Sequence, residues 1–175
     1  MLTIAQRGAR LGSSINTRVE KHGDEDVTAF DIPLDEIMLD AGELAALLGE
    51  PHAHTLLFDT SNIPHEPIFR MLKDFRLKEK IDSADVTLFI GLERVPIKFT
   101  DVKLARISIE PMVGGLTRLA VQVQCTPNLE SKVLGLLFEK LGAEIDVEIS
   151  SEGHGAQAQL PLGGASDSAN AAGVH

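Results

Sequence analysis

Apolar and polar residues alternate with period two along much of this chain, and that rhythm predicts strands. Ala105, Ile107 and Ile109 alternate with Arg106, Ser108 and Glu110. Leu119, Val121, Val123 and Cys125 alternate with Arg118, Ala120, Gln122 and Gln124. Pro111-Met112-Val113-Gly114-Gly115 lies between them, so residues 101–125 predict an antiparallel hairpin with one dry face. A second hairpin is predicted over 15–34. Ile15, Thr17 and Val19 mark one arm, Phe30, Ile32 and Leu34 the other, and Gly23-Asp24 supplies the turn chemistry. Leu2 and Ile4 mark a short strand. Val86, Leu88, Ile90 and Leu92 predict another, and Val95, Ile97 and Phe99 one more, with Pro96 confining it to an edge or a bulge. Ile145, Val147 and Ile149 predict the last strand.

Helical spacing appears in three places. Asp40-Ala41-Gly42-Glu43 has the form of a capping box, Leu44, Leu47 and Leu48 make a short stripe, and Gly49 and Pro51 end it. Residues 51–64 read as irregular. Pro64 and Pro67 frame a second helix start, with Ile68, Met71, Leu72 and Phe75 as its buried side. Thr126-Pro127 opens a third helix over 127–141, where Leu129, Val133, Leu136, Leu137 and Leu141 share an apolar face. The expected fold class is α+β, mainly antiparallel β. Hairpins form a sheet or small barrel, packed by a C-terminal helix that a final strand follows. One compact domain is expected over 1–150. Gly, Ala, Ser and Gln dominate thereafter, and 151–175 reads as a flexible tail.

Composition narrows the function. With 175 residues, 43% of them apolar, the chain can bury a sizeable core. There is no Trp or Tyr, and seven Phe are the only aromatics, which weakens the case for a base-stacking platform. The formal charge is −10 and unevenly spread: residues 19–50 hold ten carboxylates against Lys21 alone. Such an acidic lobe repels phosphate backbones and attracts basic protein surfaces or cations. The single Cys125 excludes an internal disulfide and a Cys-based zinc site, and it falls on an apolar face as a small hydrophobe. The N-terminus lacks a signal-peptide pattern, and no apolar run approaches the ~20 residues that span a bilayer. A cytoplasmic location with no membrane contact is expected.

Three clusters could carry chemistry. His52 and His54, two apart, would point the same way in an extended segment and could share a metal ion with Asp59, His65 or Glu66; the plainer reading is a polar loop. His22, Asp24, Glu25 and Asp26 form the tip of the second hairpin, a protein-recognition tip or simply a solvated turn. Arg70, Lys73, Arg76, Lys78 and Lys80 form the one basic run, with Phe69 and Phe75 interleaved. At helical spacing Arg70, Lys73 and Lys80 would share a side, able to meet a phosphate backbone while Phe69, Phe75 or Phe89 stack on bases. No Gly-x-Ser-x-Gly elbow and no phosphate-binding glycine loop before a helix occurs.

Asn16-Thr-Arg-Val-Glu-Lys-His-Gly-Asp-Glu25, leading into Asp31-Ile32, resembles the opening of a group of small bacteriophage-encoded proteins. Ile107-Ser-Ile-Glu-Pro111 with Gly114-Gly115 and Gln122-Val-Gln124 resembles that group's second half, so the likeness spans 13–150. The group has no assigned function and brings no catalytic residues. The resemblance implies a phage or prophage origin, a host cytoplasmic setting and, more loosely, an early gene of DNA metabolism or counter-defence.

Three functions follow from these features. The first is a non-enzymatic accessory protein that binds a host or phage protein through its acidic surface at His22, Asp24, Glu25 and Asp26. The second is a single-stranded nucleic-acid-binding β-barrel using Phe69, Arg70, Lys73, Phe75 and Lys80. The third is a metal-dependent hydrolase using His52 and His54. The first requires no cofactor. An unprotected sheet edge would allow a homodimer.

Overall fold

The alternating segments close on themselves. In the computed structural model, which describes residues 2–91, 95–125 and 130–151, the chain runs in order through β1 (Leu2–Leu11), β2 (Asn16–His22), β3 (Glu25–Leu39), α1 (Ala41–Leu48), α2 (Ala53–Leu57), β4 (Phe58–Asp59), β5 (Glu66–Pro67), β6 (Phe75–Arg76), β7 (Ile81–Ile90), β8 (Val95–Pro111), β9 (Thr117–Cys125), α3 (Ser131–Glu139) and β10 (Glu144–Ser151). Six long strands pair in the circle β1–β10–β7–β8–β9–β3, and β3 returns to β1 through Leu34 and Asp35. Every ladder is antiparallel. The result is a closed six-stranded barrel, which removes sheet edges from the body of the fold. Strands β7, β8 and β9 follow one another as hairpins, and β10 returns beside β7 in a Greek-key arrangement. Pro96 sits in the part of β8 that has β7 alone as its ladder partner, as its missing N–H requires.

The inward residues show how the barrel curves. In β3 they are Ile32 and Leu34, then Ile37 and Leu39; in β8 they are Ile97 and Phe99, then Val102 and Leu104, then Ile107 and Ile109. Each change of parity needs one extra residue, and the ladders slip at those points. Glu36, Ser83, Asp101 and Arg106 stand at these slips with φ of 61°, 55°, 54° and 49°. A side chain in the left-handed region costs about 1–2 kcal/mol, and the bulges that curve the barrel hold it there. Replacing Ser83 with Gly should therefore stabilise the fold by about 0.5–1 kcal/mol, glycine's own chain entropy offsetting part of the relief. Urea denaturation measures the change; a loss of stability would mean that the Ser83 side chain holds the bulge in place.

Helices cover the two ends. α1 packs on β1 and β3. Its capping box forms in full: the Glu43 N–H donates to Asp40 Oδ1 at 2.8 Å, and the Asp40 N–H donates to Glu43 Oε2 at 3.0 Å. Gly49 ends it in the left-handed conformation (φ 65°). Glu43 also receives both terminal nitrogens of Arg7, one at 2.7 Å, and Arg7 donates to the Met38 carbonyl as well. At the other end, α3 connects β9 to β10 and buries Leu137 in the core, with Val133, Leu136 and Leu141 packed against it.

Three expectations change. The C-terminal helix begins at Ser131 among the described residues, and Thr126–Leu129 lie outside them, as does the segment after Ser151. Residues 51–64 are not wholly irregular, since α2 and β4 lie there. The helix expected from Pro64 to Phe75 does not form: Ile68, Met71 and Leu72 are exposed. The backbone instead runs extended, where Phe75 and Arg76 pair with Ile109 and Ser108, and the Leu77 N–H donates to the Ile107 carbonyl at 2.9 Å. The flank of β8 that β7 leaves free offers those hydrogen bonds, and a short helix, costly to nucleate, does not compete.

Candidate functional site

The strap from Phe75 to Lys80 begins as a strand at Phe75 and Arg76 and bends at Lys78 and Glu79, carrying three cations past β8. Leu77 is half-buried against β8, while Arg76, Lys78 and Lys80 are exposed. Arg76 pairs with Ser108, and Lys78 lines the same hollow as Arg106 on the neighbouring strand. Arg106 occupies the bulge of β8, where the extra residue re-aims its side chain. These four cations line an open hollow of about 470 Å³, with Leu77, Ala105 and Gln124 completing the wall and Glu79 its one carboxylate.

The floor is polar. Lys80 Nζ donates to Gln124 Oε1 at 3.4 Å, and Gln124 Nε2 donates to Asp31 Oδ1 at 3.4 Å. Asp31 is buried and salt-bridged to Arg18. Gln122 shares the outward side of β9 with Gln124 and stands opposite Ala105. It is only 5% exposed, and its Oε1 has no hydrogen-bond partner among the described residues. A buried acceptor of that kind calls for a donor.

The structure sorts the basic candidates differently from the sequence. Phe75 and Lys80 belong to the strap. Phe69, 47% exposed, meets Phe75 edge to face with ring centroids 6.0 Å apart, so it borders the same region. Arg70 is salt-bridged to Glu66, and Lys73 is exposed in an irregular stretch before the strap. Phe89 lies elsewhere, in a second hollow of about 590 Å³ that Glu36, Glu144 and Asp146 also line. Those carboxylates disfavour a phosphate. Beside that hollow, burial raises the Asp35 pKa, Glu36 adds to the rise, and Arg10 opposes it.

The acidic stretch 19–50 does not form one continuous surface. Glu43 holds Arg7, Asp31 holds Arg18, Glu36 holds Arg10, Asp40 caps α1, and Glu50 accepts from the His52 N–H. Asp24, Glu25 and Asp26 are exposed at the end of the β2–β3 arm, which continues past the last barrel pair, Phe30 with Cys125. The side chain of His22 lies outside the described residues.

His52 and His54 do not converge. Their segment is a helical turn, where residues two apart face different ways. His52 is exposed. His54 turns inward, its ring stacked on Phe58 at 4.7 Å and Nε2 3.1 Å from the Gly115 carbonyl, with the His65 ring at 5.5 Å. Among the described residues, no three His, Cys, Asp or Glu side chains cluster as a metal site.

Cys125 packs in the core, and desolvation pushes its thiol pKa up to about 12, against a smaller opposing pull from Arg18. The reactive species is the thiolate. Native protein at pH 8 should therefore not react with a disulfide reagent such as Ellman's, and denatured protein should react fully. Rapid labelling of the native state would place Cys125 in a frequently opening segment.

No protein-family model, curated protein or solved structure matches this chain. No helix among the described residues is long and apolar enough to cross a membrane.

Proposed function

We propose that this protein is a non-enzymatic β-barrel module that binds single-stranded nucleic acid along the strap side of the barrel. One observation carries the reading: Arg76, Lys78, Lys80 and Arg106 meet in one hollow on a chain whose net charge is −10. Exposed like charges repel, so cations gathered against that balance, one of them on a strained bulge residue, favour an anionic ligand. The distant carboxylates matter less than their number suggests, because exposed charges are screened beyond about 10 Å at 0.1 M salt. Phe75 packs against the core, but Phe69, 47% exposed and edge to face with it, offers a ring to an unstacked base, which a single strand presents and a duplex does not. This reading ranks above recognition of a protein through the acidic stretch, because five of its carboxylates already have partners within the chain. It also suits an early gene of DNA metabolism, the setting that the resemblance implies.

The test is a fluorescence-anisotropy titration of a labelled oligothymidylate. Binding is expected at ~50 mM salt, weakening with a log–log salt slope of about −3, since each of four neutralised phosphates on a single strand contributes about −0.7. No anisotropy change at that ionic strength would sink the proposal.

A further inference from the structure

Eight of the ten large apolar side chains that are exposed among the described residues fall in two segments, 56–72 and 112–116. Ile63 is 94% and Met71 98% exposed, and Leu72 and Val113 are largely so. The segments form one surface. The Gly114 N–H donates to the His65 carbonyl at 2.8 Å, and His54 Nε2 meets the Gly115 carbonyl at 3.1 Å. Gly115 allows this approach: its φ is +81°, and a Cβ there would stand 3.1 Å from both His54 Nε2 and His65 Nδ1. Scattered apolar residues are normal on a surface, but a concentration in joined loops marks a site of association.

We propose that this platform is the two-fold interface with a second copy of the chain. The charge distribution selects that occupant. Two copies, each at −10, repel over most of their surfaces. Residues 51–80, which carry most of the platform, are close to balance, holding Asp59, Glu66, Asp74 and Glu79 against Arg70, Lys73, Arg76, Lys78 and Lys80. A balanced surface lets two like-charged molecules approach. A two-fold contact also requires self-complementarity, in which a residue and its partner meet twice. Glu66 and Arg70, both exposed and already paired with each other, provide both signs on one rim and can exchange partners across the axis.

Size-exclusion chromatography with light scattering on the full chain tests this. The wild type should be a dimer at ~100 μM, and Met71→Glu should raise the dimer dissociation constant at least about tenfold. Val113→Glu, from the other segment, should do the same. Both sites are exposed, so the thermal midpoint of unfolding measured below the dissociation constant should not move, which separates lost association from lost folding. A wild-type monomer at that concentration, or a dimer indifferent to both substitutions, would overturn the proposal.

Discussion

Glu43→Ala is expected to remove about 3 kcal/mol of folding free energy, a large fraction of what holds a domain of this size together. Two losses combine. The Arg7 and Glu43 side chains are only 26% and 12% exposed, and Glu43 takes both terminal guanidinium nitrogens. Removing the carboxylate leaves a partly buried cation with backbone carbonyls alone. That should cost about 2 kcal/mol, less than the 3–5 of a fully buried pair because water still reaches Arg7. The Asp40 N–H also loses its acceptor, and half a capping box typically contributes about 0.5–1 kcal/mol. Near 150 ordered residues, 3 kcal/mol lowers the thermal midpoint by roughly 6–12 °C. Urea denaturation should show a lower midpoint with an unchanged slope, and Glu43→Gln, which keeps an acceptor, should lose about half as much. A loss under about 1 kcal/mol would show that α1 is held by packing alone.

Reversing two charges in the hollow should have the largest functional effect. Lys78→Glu combined with Lys80→Glu is expected to weaken oligothymidylate binding at ~50 mM salt by about 100-fold, and to bring the salt slope from about −3 to about −1.5. Both side chains are exposed, so the fold should tolerate the change. A useful control is Asp24→Lys with Asp26→Lys on the arm, where the same number of reversals has the opposite sign. If affinity followed net charge alone, the control would raise it as much as the hollow variant lowers it. If local convergence decides, the control changes it little. Unchanged binding in the hollow variant would place any nucleic-acid contact elsewhere.

Much of the architecture was readable because period two is strong. The hairpins at 15–34 and 101–125 lie where the alternation puts them, and Asp40 and Glu43 make both bonds of the capping box. The parity switches were not readable. Glu36, Ser83, Asp101 and Arg106 adopt a backbone that glycine usually marks, and without glycine the composition leaves no trace. Val95–Phe99 and the stretch from Asp101 therefore read as two strands, while the bulge makes them one of 17 residues. The basic site was half visible. Period two was present in Arg76, Lys78 and Lys80 against Phe75 and Leu77, but the two prolines upstream and the apolar spacing of Ile68, Met71 and Leu72 favoured a helical reading. Arg106, remote in sequence, joins the strap only because β6 pairs with β8.

The barrel's closure also has a bearing on its synthesis. Leu2 pairs with Ser151, so the seam joins β1 to β10, the first and last strands among the described residues. β1 has its main ladder with β10 and only a two-residue pairing with β3. A nascent chain leaving the ribosome must keep Leu2, Ile4 and Leu11 from other strands until β10 has emerged, and long-range pairing of this kind slows folding.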